Sequence, residues 1–256
     1  MKWGRKKHSN LRQEIRAIGA LIWFDGVLPI RRSPFSLVNF IVSPLTILFF
    51  IYIFAGPGKV IFALGGGLIA VVVGSCIVLE TEAAFIRIVV KLQDMFVSSP
   101  ISPVTYVTGL SIAQLCNGIA GIALFSALLA AYVHLTLVEG LEIAAAVIIA
   151  WASISALGFM ISTFARDIRD LWVYSPLLNV LLAFLPPVFY PITYIPESVR
   201  FIAYLAPTTY PAQLIQEAVG VAGTSPTTVP LNLLGGILYT ILLIVFAAKV
   251  ARWRQN

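Results

Sequence analysis

Residues 37–79 read LVNFIVSPLTILFFIYIFAGPGKVIFALGGGLIAVVVGSCIVL, two long apolar runs separated by the short segment Gly56-Pro57-Gly58-Lys59. A helix needs about 20 consecutive apolar residues to cross a hydrocarbon core roughly 30 Å thick. Each run meets or nearly meets that length, and neither has a charged residue at its centre. The pair therefore predicts two membrane-spanning helices joined by a short loop.

The rest of the chain contains four further apolar stretches of similar length. The six predicted spans are Leu37–Ala55, Val60–Leu79, Val104–Val133, Leu141–Phe164, Leu171–Tyr190 and Leu231–Ala248. Hydrophobic residues make up 59% of the 256-residue chain and charged residues 11%, which is far from the usage of soluble domains. We therefore expect an all-α integral membrane protein, with a six-span domain over residues 37–256.

The basic residues predict how these spans are oriented. Fifteen of the 17 Lys and Arg residues lie in the leading segment, the tail and the loops after spans two and four, whereas the opposite side keeps only Lys59 and Arg200. Because Lys and Arg are enriched on the cytoplasmic side, both chain ends are expected there, in the cytoplasmic membrane. An even number of spans returns the chain to its starting side, so the six predicted spans independently place both chain ends on the same side of the membrane. No nucleic-acid-binding motif accompanies the net charge of +6.

Residues 1–36 predict an interfacial segment that does not cross the membrane. Apolar residues recur at helical spacing from Leu11 to Ile22, and Arg12 and Arg16 lie off that stripe. An amphipathic helix of this kind lies along the cytoplasmic surface with its cations near anionic headgroups. Pro29 is expected to break the helix. The segment is interpreted as an anchor for the first span, and a lever moved by a cytoplasmic partner is the alternative.

The loop over residues 80–103 is the first candidate for function. Glu80 and Glu82 end span two, and a helix is predicted over Ala83–Val97. Prolines 100 and 103 cannot continue that helix, so a stiff turn follows, with Ser102 or Thr105 capping span three. A short helix held in this way can transmit a push into two spans. Taken alone, the two glutamates are at least as well explained as neutralising nearby Arg and Lys. The residues assigned to docking of a partner are Lys91, Gln93, Asp94, Met95, Phe96, Ser99, Pro100 and Pro103.

The loop over residues 186–230 is the second candidate. It is too long and apolar for an exposed loop, and too rich in proline for a seventh span. Short helices are predicted from Pro196 to about Leu205 and from Pro211 to about Gly220, the second capped by Thr208 or Thr209. Irregular backbone at membrane depth must be buried or line a cavity, which predicts a re-entrant outer helical hairpin that breaks span five beyond Leu185. Five aromatic residues are interpreted as an outer gate, or alternatively as an interfacial belt: Phe189, Tyr190, Tyr194, Tyr204 and Tyr210.

Several small or polar residues fall within the predicted spans. Four of them recur at every fourth position of span three, a spacing suited to close helix packing. The set either lines a substrate path or packs helices together: Asn39, Gly109, Ala113, Asn117, Gly121, Ser155 and Asn179. The middle of each predicted span is free of ionisable residues, which counts against an ion-driven carrier.

The chain contains no Gly-x-x-x-x-Gly-Lys-Ser/Thr loop, so it is not expected to bind nucleotide phosphates in that way or to hold a cofactor. Asp167 and Asp170 are the basis of an alternative, a membrane-embedded enzyme acting on lipid phosphates. The flanking Arg166 and Arg169 favour self-neutralised ion pairs over catalysis. A membrane scaffold without transport is a further alternative.

Two stretches resemble the permease subunit of type-2 ABC exporters: Lys91-Leu-Gln-Asp-Met-Phe-Val-Ser-Ser-Pro-Ile-Ser-Pro103, and Pro187-Val-Phe-Tyr-Pro191 through Ala206-Pro-Thr-Thr-Tyr210. The layout is similar over nearly the whole chain, although Ala206 stands where that family frequently has Asn. The resemblance implies a cytoplasmic coupling helix after span two, and either a homodimer or a pairing with a similar permease. It also implies two separate ABC ATPase subunits that bind ATP and Mg²⁺ and drive export of a drug, a lipid or a lipid-linked glycan.

Overall fold

The computed structural model describes residues 11–91, 102–221 and 228–250, and every regular element in these ranges is helical, as predicted. A π-helical segment, Ile22–Val27, joins the first two helices. The α-helices are α1 (Leu11–Leu21), α2 (Leu28–Arg32), α3 (Ser36–Ala55), α4 (Val60–Ile77), α5 (Leu79–Ile88), α6 (Pro103–Asn117), α7 (Ile119–Tyr132), α8 (Leu137–Phe164), α9 (Ile168–Ala183), α10 (Arg200–Ala203), α11 (Thr209–Ala218) and α12 (Val229–Val250).

The helices that are long and apolar enough to cross a membrane number four among the described residues. They are Ser36–Ala55, Pro57–Ile88, Leu137–Phe164 and Val229–Val250. A fifth span results if α6 and α7, which meet at an angle of 57°, are counted together. Helix α9 has 16 residues, short of the roughly 20 that a crossing requires. The chain is therefore a helical membrane protein, and the six-span topology stays a prediction.

Helix α4 forms the centre of the fold. In the most apolar 18-residue window of the span Pro57–Ile88, 94% of the residues are buried, against 6% in α3. Helices α3, α7, α8, α9 and α11 all pack on α4. Residues 65–67 are glycines, so Ile215, Phe189 and Phe125 can pack directly on the α4 backbone. The neighbouring segments therefore pack on α4 at the three positions where this helix has no side chain.

The predicted third span, Val104–Val133, is not one continuous helix, and its crossing as a single bent span stays a prediction. It divides at Gly118 into α6 and α7. A Cβ atom at position 118 would lie 2.6 Å from the Oγ atom of Ser75, so α4 approaches the chain where α6 ends. The bend coincides with a close contact between helices. The apolar sequence pattern by itself does not predict such a contact.

The N-terminal helix packs on α6 and does not end at Pro29. A Cβ atom at Gly109 would lie 2.7 Å from Leu21 Cδ1, so α1 and α6 are in close contact. The π-helical segment widens the turn before the proline, and Pro29 then occupies one of the first positions of α2, where its missing N–H is tolerated. The prediction that Pro29 breaks the helix is therefore wrong. Helical structure continues to Arg32.

The helix predicted over Ala83–Val97 also differs from the structure. Helix α5 begins at Leu79 and ends at Ile88, and Lys91 has a positive φ of 56°, which a continuing helix does not allow. The guanidinium of Arg87 donates hydrogen bonds of 2.6–2.9 Å to three carbonyl groups at the end of α8, those of Ser162, Thr163 and Ala165. These bonds satisfy backbone groups that the end of α8 leaves open, and they fix the end of α5 to α8.

We expect Gly67→Ala to destabilise the protein by about 1–3 kcal/mol, because the added methyl group would overlap the ring of the fully buried Phe125. Thermal unfolding of the detergent-purified protein, followed by differential scanning fluorimetry, measures the change. Gly19→Ala is the matched control, since no atom lies within 4 Å of a Cβ at that position. Adding Phe125→Leu should restore part of the lost stability. A Gly67→Ala variant as stable as the wild type would contradict the close packing of α4 and α7.

Candidate functional site: a polar crevice between three helices

A crevice of about 360 Å³ lies between α3, α4 and α9. Four polar side chains line it: Asn39 and Ser43 on α3, and Ser175 and Asn179 on α9. Gly74 supplies the α4 side, where a Cβ atom would lie 3.2 Å from the amide nitrogen of Asn179. The glycine therefore lets an amide group lie close to the central helix. Two amides and two hydroxyls line a space otherwise bounded by apolar side chains and the prolines of α3 and α9.

Each of the two helices beside α4 has a proline at the crevice. Pro44 lies inside α3, Pro176 lies inside α9, and both line the cavity. A proline has no N–H, so the carbonyl group four residues earlier loses its helical hydrogen bond. For Pro44 that carbonyl belongs to Phe40, which also lines the crevice. Backbone irregularity of this kind is tolerated at membrane depth where it lines a cavity.

Polar contacts continue from the crevice towards Glu80. The Ser175 hydroxyl donates a hydrogen bond to the Glu80 carboxylate and lies 3.3 Å from the Thr81 hydroxyl. The Glu80 side chain is fully buried. The Glu82 side chain is only partly buried. The interpretation that these glutamates neutralise nearby Arg and Lys is therefore wrong for Glu80, whose buried carboxylate pairs with a hydroxyl, and for Glu82 it stays a prediction.

A second cavity, of about 290 Å³, lies between α6, α8 and α12. Apolar side chains dominate its walls, and Ser155 is one of its few polar residues. Polar groups are costly within a membrane and mark functional paths more often than apolar walls do. The crevice between α3, α4 and α9 is therefore the stronger candidate for a functional site.

The polar residues predicted within the spans separate into three places. Asn39 and Asn179 meet at the crevice, although they are 140 residues apart in sequence, whereas Ser155 lies at the second cavity. The four residues of the span-three stripe lie in neither lining. Gly109 and Ala113 pack against the N-terminal helix, Asn117 donates a hydrogen bond to Gln114 Oε1 at 3.2 Å, and Gly121 lies beyond the bend, against Val71 and Ile41.

The five aromatic residues predicted as an outer gate do not form one cluster. The rings of Tyr204 and Tyr210 are in contact, with centroids 5.7 Å apart, and Tyr239 of α12 extends this group. Phe189 instead stacks on Phe184, with centroids 5.5 Å apart.

The other two tyrosines make separate hydrogen bonds. Tyr190 donates to the carbonyl oxygen of Leu185 at 2.6 Å, and the Tyr194 hydroxyl accepts from Lys59 at 3.1 Å. A gate formed by Tyr204 and Tyr210 remains a prediction.

The loop before α12 folds back on the end of α9. Its described part contains a 3-10 turn at Ile192–Tyr194, a second 3-10 turn continued by α10, and α11; the last two segments lie close to the predicted positions. The prediction that Thr208 or Thr209 caps the second helix is wrong, because both hydroxyls donate to carbonyl groups, Thr208 to that of Leu182 and Thr209 to that of Ala203. The Gln216 amide donates to the carbonyl of Pro187 at 3.0 Å. These hydrogen bonds satisfy backbone groups that irregular structure leaves open.

Few of the residues predicted to dock a partner lie in the described part of the chain. Lys91 is exposed, and Pro103 is the first residue of α6. The Ser102 hydroxyl accepts a hydrogen bond from the Thr105 amide at 3.1 Å, which confirms the cap predicted for span three. Six of the predicted residues lie outside the described ranges: Gln93, Asp94, Met95, Phe96, Ser99 and Pro100.

The residues Asp25, Ser175 and Tyr239 were not predicted from sequence. Asp25 is the only charged residue in the segment Ile18–Ile30, a signal that could have identified it. The sequence around Ser175 gives no signal that marks this residue. Only its hydrogen bond to Glu80 in the structure identifies it. Asp167, a candidate in the alternative enzyme hypothesis, has a structural role. It caps α9 by accepting a hydrogen bond from the Arg169 amide at 2.9 Å.

The structure is thus a helical membrane protein with a polar crevice among its apolar helices. The sequence profile of the family described as ABC-2 type transporter matches residues 16–219, which is most of the chain. The chain belongs to the ABC-2 type transporter family, and the resemblance identified from sequence is confirmed. Members of this family are membrane permeases that are in general non-catalytic. A comparison with curated proteins found no match.

We expect Ser43→Cys to react with a water-soluble maleimide about tenfold faster than Ser155→Cys, because thiolates form readily beside hydrated polar groups and poorly in apolar surroundings. Both variants are made after replacing Cys76 and Cys116 with Ala, and labelling is followed by mass spectrometry in lipid nanodiscs. Equal labelling rates at the two positions would show that the crevice is no more hydrated than the second cavity.

Proposed function

We propose that this chain is the transmembrane subunit of an ATP-driven exporter, and that an amphipathic substrate crosses the membrane along the crevice between α3, α4 and α9. The polar lining of this crevice carries the proposal. Amides and hydroxyls can bind the polar part of a substrate, while the surrounding apolar side chains accept its hydrophobic part. An amphipathic drug, a lipid and a lipid-linked glycan each combine a polar part with a hydrophobic part in this way.

A second copy of the chain, or a similar permease, would complete the path. Helices α3 and α9 flank the crevice and expose large apolar side chains, among them Phe49 and Phe54 on α3 and Trp172 and Leu177 on α9. Exposed apolar surface within a membrane is covered by lipid or by another helix. Pairing across these faces would enclose the crevice between two protein walls, with Tyr204 and Tyr210 as part of the outer gate.

Two separate ABC ATPase subunits would supply the energy, since the sequence has no phosphate-binding loop of the Walker type. The loop over residues 80–103 would dock them on the cytoplasmic side, where both chain ends are also placed. Because Arg87 fixes α5 to the end of α8, a push on this loop would be transmitted to two helices at once. The distribution of basic residues supports this orientation in the cytoplasmic membrane.

The docking proposal predicts that a cysteine at Gln93 or Phe96 can be cross-linked to an ATPase expressed from an adjacent reading frame. Leu137→Cys is the control, because Leu137 is 82% exposed but begins α8 at the end of that helix away from Arg87. Cross-linking is read by mass spectrometry of the purified complex. If no ATPase copurifies with the permease, the proposal of an ATP-driven exporter is overturned.

The crevice proposal predicts that Asn179→Leu lowers export of a fluorescent amphiphile from cells or vesicles by about tenfold, because a hydrogen bond to the substrate is lost. Ser155→Ala is the matched control, since Ser155 was a candidate of the same kind but lies at the other cavity. Expression and thermal stability are measured for both variants. Equal export by Asn179→Leu and the wild type, with comparable expression, would remove the crevice from the path.

A further inference from the structure

An acidic side chain lies at one end of the crevice between α3, α4 and α9. Glu80, near the start of α5, is fully buried, and its Oε2 atom has no hydrogen-bond partner in the described part of the chain. Its other carboxyl oxygen accepts a hydrogen bond from the hydroxyl of Ser175, which lines the crevice. Val78, two residues before Glu80, is also part of the lining. The carboxyl group is therefore separated from the open space of the crevice by a single side chain.

The hydrogen-bond donors next to this carboxyl group are used by other atoms. Ser175 has one hydroxyl hydrogen, which it donates to Glu80, so the Thr81 hydroxyl at 3.3 Å donates to the Ser175 oxygen. The backbone amides of Thr81 and Glu82 both donate to the carbonyl oxygen of Val78 at 3.0 Å. The carboxylate therefore does not cap α5, and its second oxygen is left as an open acceptor.

The fold also supplies no basic partner for this acid within the described ranges. No salt bridge joins Glu80 to a lysine or arginine there. Arg87, the basic residue nearest to it in sequence, directs its guanidinium to three carbonyl groups at the end of α8. A buried carboxylate without a partner is costly, because it has lost its hydration and gained no ion pair in return. A cation that enters the crevice would supply the missing partner.

Helix α9 carries polar side chains along the crevice up to Glu80. Asn179 lies beside Gly74 of α4, whereas Ser175, one helical turn earlier, bonds to Glu80 six residues beyond Gly74. Helix α9 therefore runs opposite to α4, with its amide in the middle of the crevice and its hydroxyl at the acidic end.

Helix α3 adds a further hydroxyl at the same end. Residues 56–59 join α3 directly to α4, so α3 also runs opposite to α4, and its first residue, Ser36, lies towards Glu80. Ser36 precedes Asn39 and Ser43 by three and seven residues, which places all three on one face of α3. The Ser36 hydroxyl is buried and, like Glu80 Oε2, has no hydrogen-bond partner among the described residues. The acidic end of the crevice thus combines one open carboxylate oxygen with the hydroxyls of Ser36 and Ser175.

We propose that Glu80 binds the ammonium group of a cationic amphiphile, so that the substrates of the crevice are amines. This inference rests on the proposed function and deepens it, because it assigns the substrate class of the same crevice. The three N–H donors of a primary ammonium match the open carboxylate oxygen and the two hydroxyls. The apolar body of the amphiphile lies further along the crevice, against Phe40 and Val180. A drug with an amino group and a lipid with an ethanolamine headgroup both have this chemistry.

A matched pair of fluorescent probes tests the requirement for a cation. Pyrenebutylamine is a cation at neutral pH, and pyrenebutanol carries a hydroxyl in place of the ammonium group. Binding to the permease in a non-ionic detergent is followed by energy transfer from tryptophan to pyrene. The wild type should bind the amine about tenfold more tightly than the alcohol, because a hydrogen bond between charged groups is stronger than one to a neutral group. Equal affinities for the two probes would overturn the proposal.

Substitution of Glu80 tests whether this residue provides the preference. Glu80→Gln removes the charge but keeps an oxygen that can accept from Ser175, so it should lower the affinity for the amine about tenfold and leave that for the alcohol unchanged. Glu82→Gln is the matched control, since it removes the same charge two residues away from a side chain that does not line the crevice. A preference that persists in the folded Glu80→Gln variant, or is lost equally in both variants, would contradict a specific role of Glu80.

A measurement on the wild type keeps the proposal falsifiable if Glu80→Gln does not fold. Dicyclohexylcarbodiimide couples a carboxyl group to an amine in contact with it, forming an amide while the reagent takes up the elements of water and becomes a urea. Mass spectrometry after incubation with pyrenebutylamine should find the amide at Glu80. Amides at other carboxyl groups and none at Glu80 would overturn the proposal.

The same coupling distinguishes the two sources of the ammonium group. Competition by added phosphatidylethanolamine identifies a lipid as the substrate, and coupling that this lipid leaves unchanged identifies a soluble amine; each result supports the amine site. All these measurements use the permease without an ATPase. Failure to find an ATPase partner would therefore overturn the exporter and leave the amine site intact, whereas equal binding of amine and alcohol would overturn the amine site alone.

Discussion

Close packing around α4 is the constraint on which the rest of the structure depends. Water does not drive helices together inside a bilayer, so helices associate through close contact and hydrogen bonds. The glycines at residues 65–67 expose the α4 backbone to a helix, a loop and a buried aromatic ring. The same helix lies close to the chain at Gly118, between α6 and α7, and close to Asn179 at Gly74. The bend and the crevice are thus both consequences of how neighbours approach one helix.

Polar groups within the apolar bundle have specific partners. Arg87 closes the end of α8, Gln216 holds the loop after α9, and Ser175 donates to Glu80. Each of these contacts satisfies a group that lipid would leave without a hydrogen bond. Asn39 and Asn179 differ, because they line a space large enough for a ligand. Position in the bundle, and not residue type, therefore separates the polar groups that have partners within the protein from those that line the crevice.

The sequence predicted helix content, membrane location and family well, and local breaks poorly. Apolar runs of about 20 residues have one stable form in lipid, so α3, α4, α8 and α12 were predictable. Pro29 did not break its helix, since a widened turn precedes it, and Gly118 did break one. At Gly118 a contact with α4 accompanies the break, and the local sequence does not show that contact. Six of the eight predicted docking residues lie outside the described ranges, and the docking role of this loop remains a prediction.

The candidate site was predictable only in part. Asn39 and Asn179 were identified as unusual for membrane helices, because the cost of burying an amide in lipid can be read from a single sequence. Their meeting at one crevice, the placement of Ser155 at another, and the hydrogen bond between Gln114 and Asp25 depend on which helix faces are adjacent. By itself, the sequence determined that the chain is helical and belongs in a membrane, since those properties follow from apolar length and composition. Tertiary structure alone decided which polar groups meet, because contacts between distant residues depend on the rotation and close approach of whole helices.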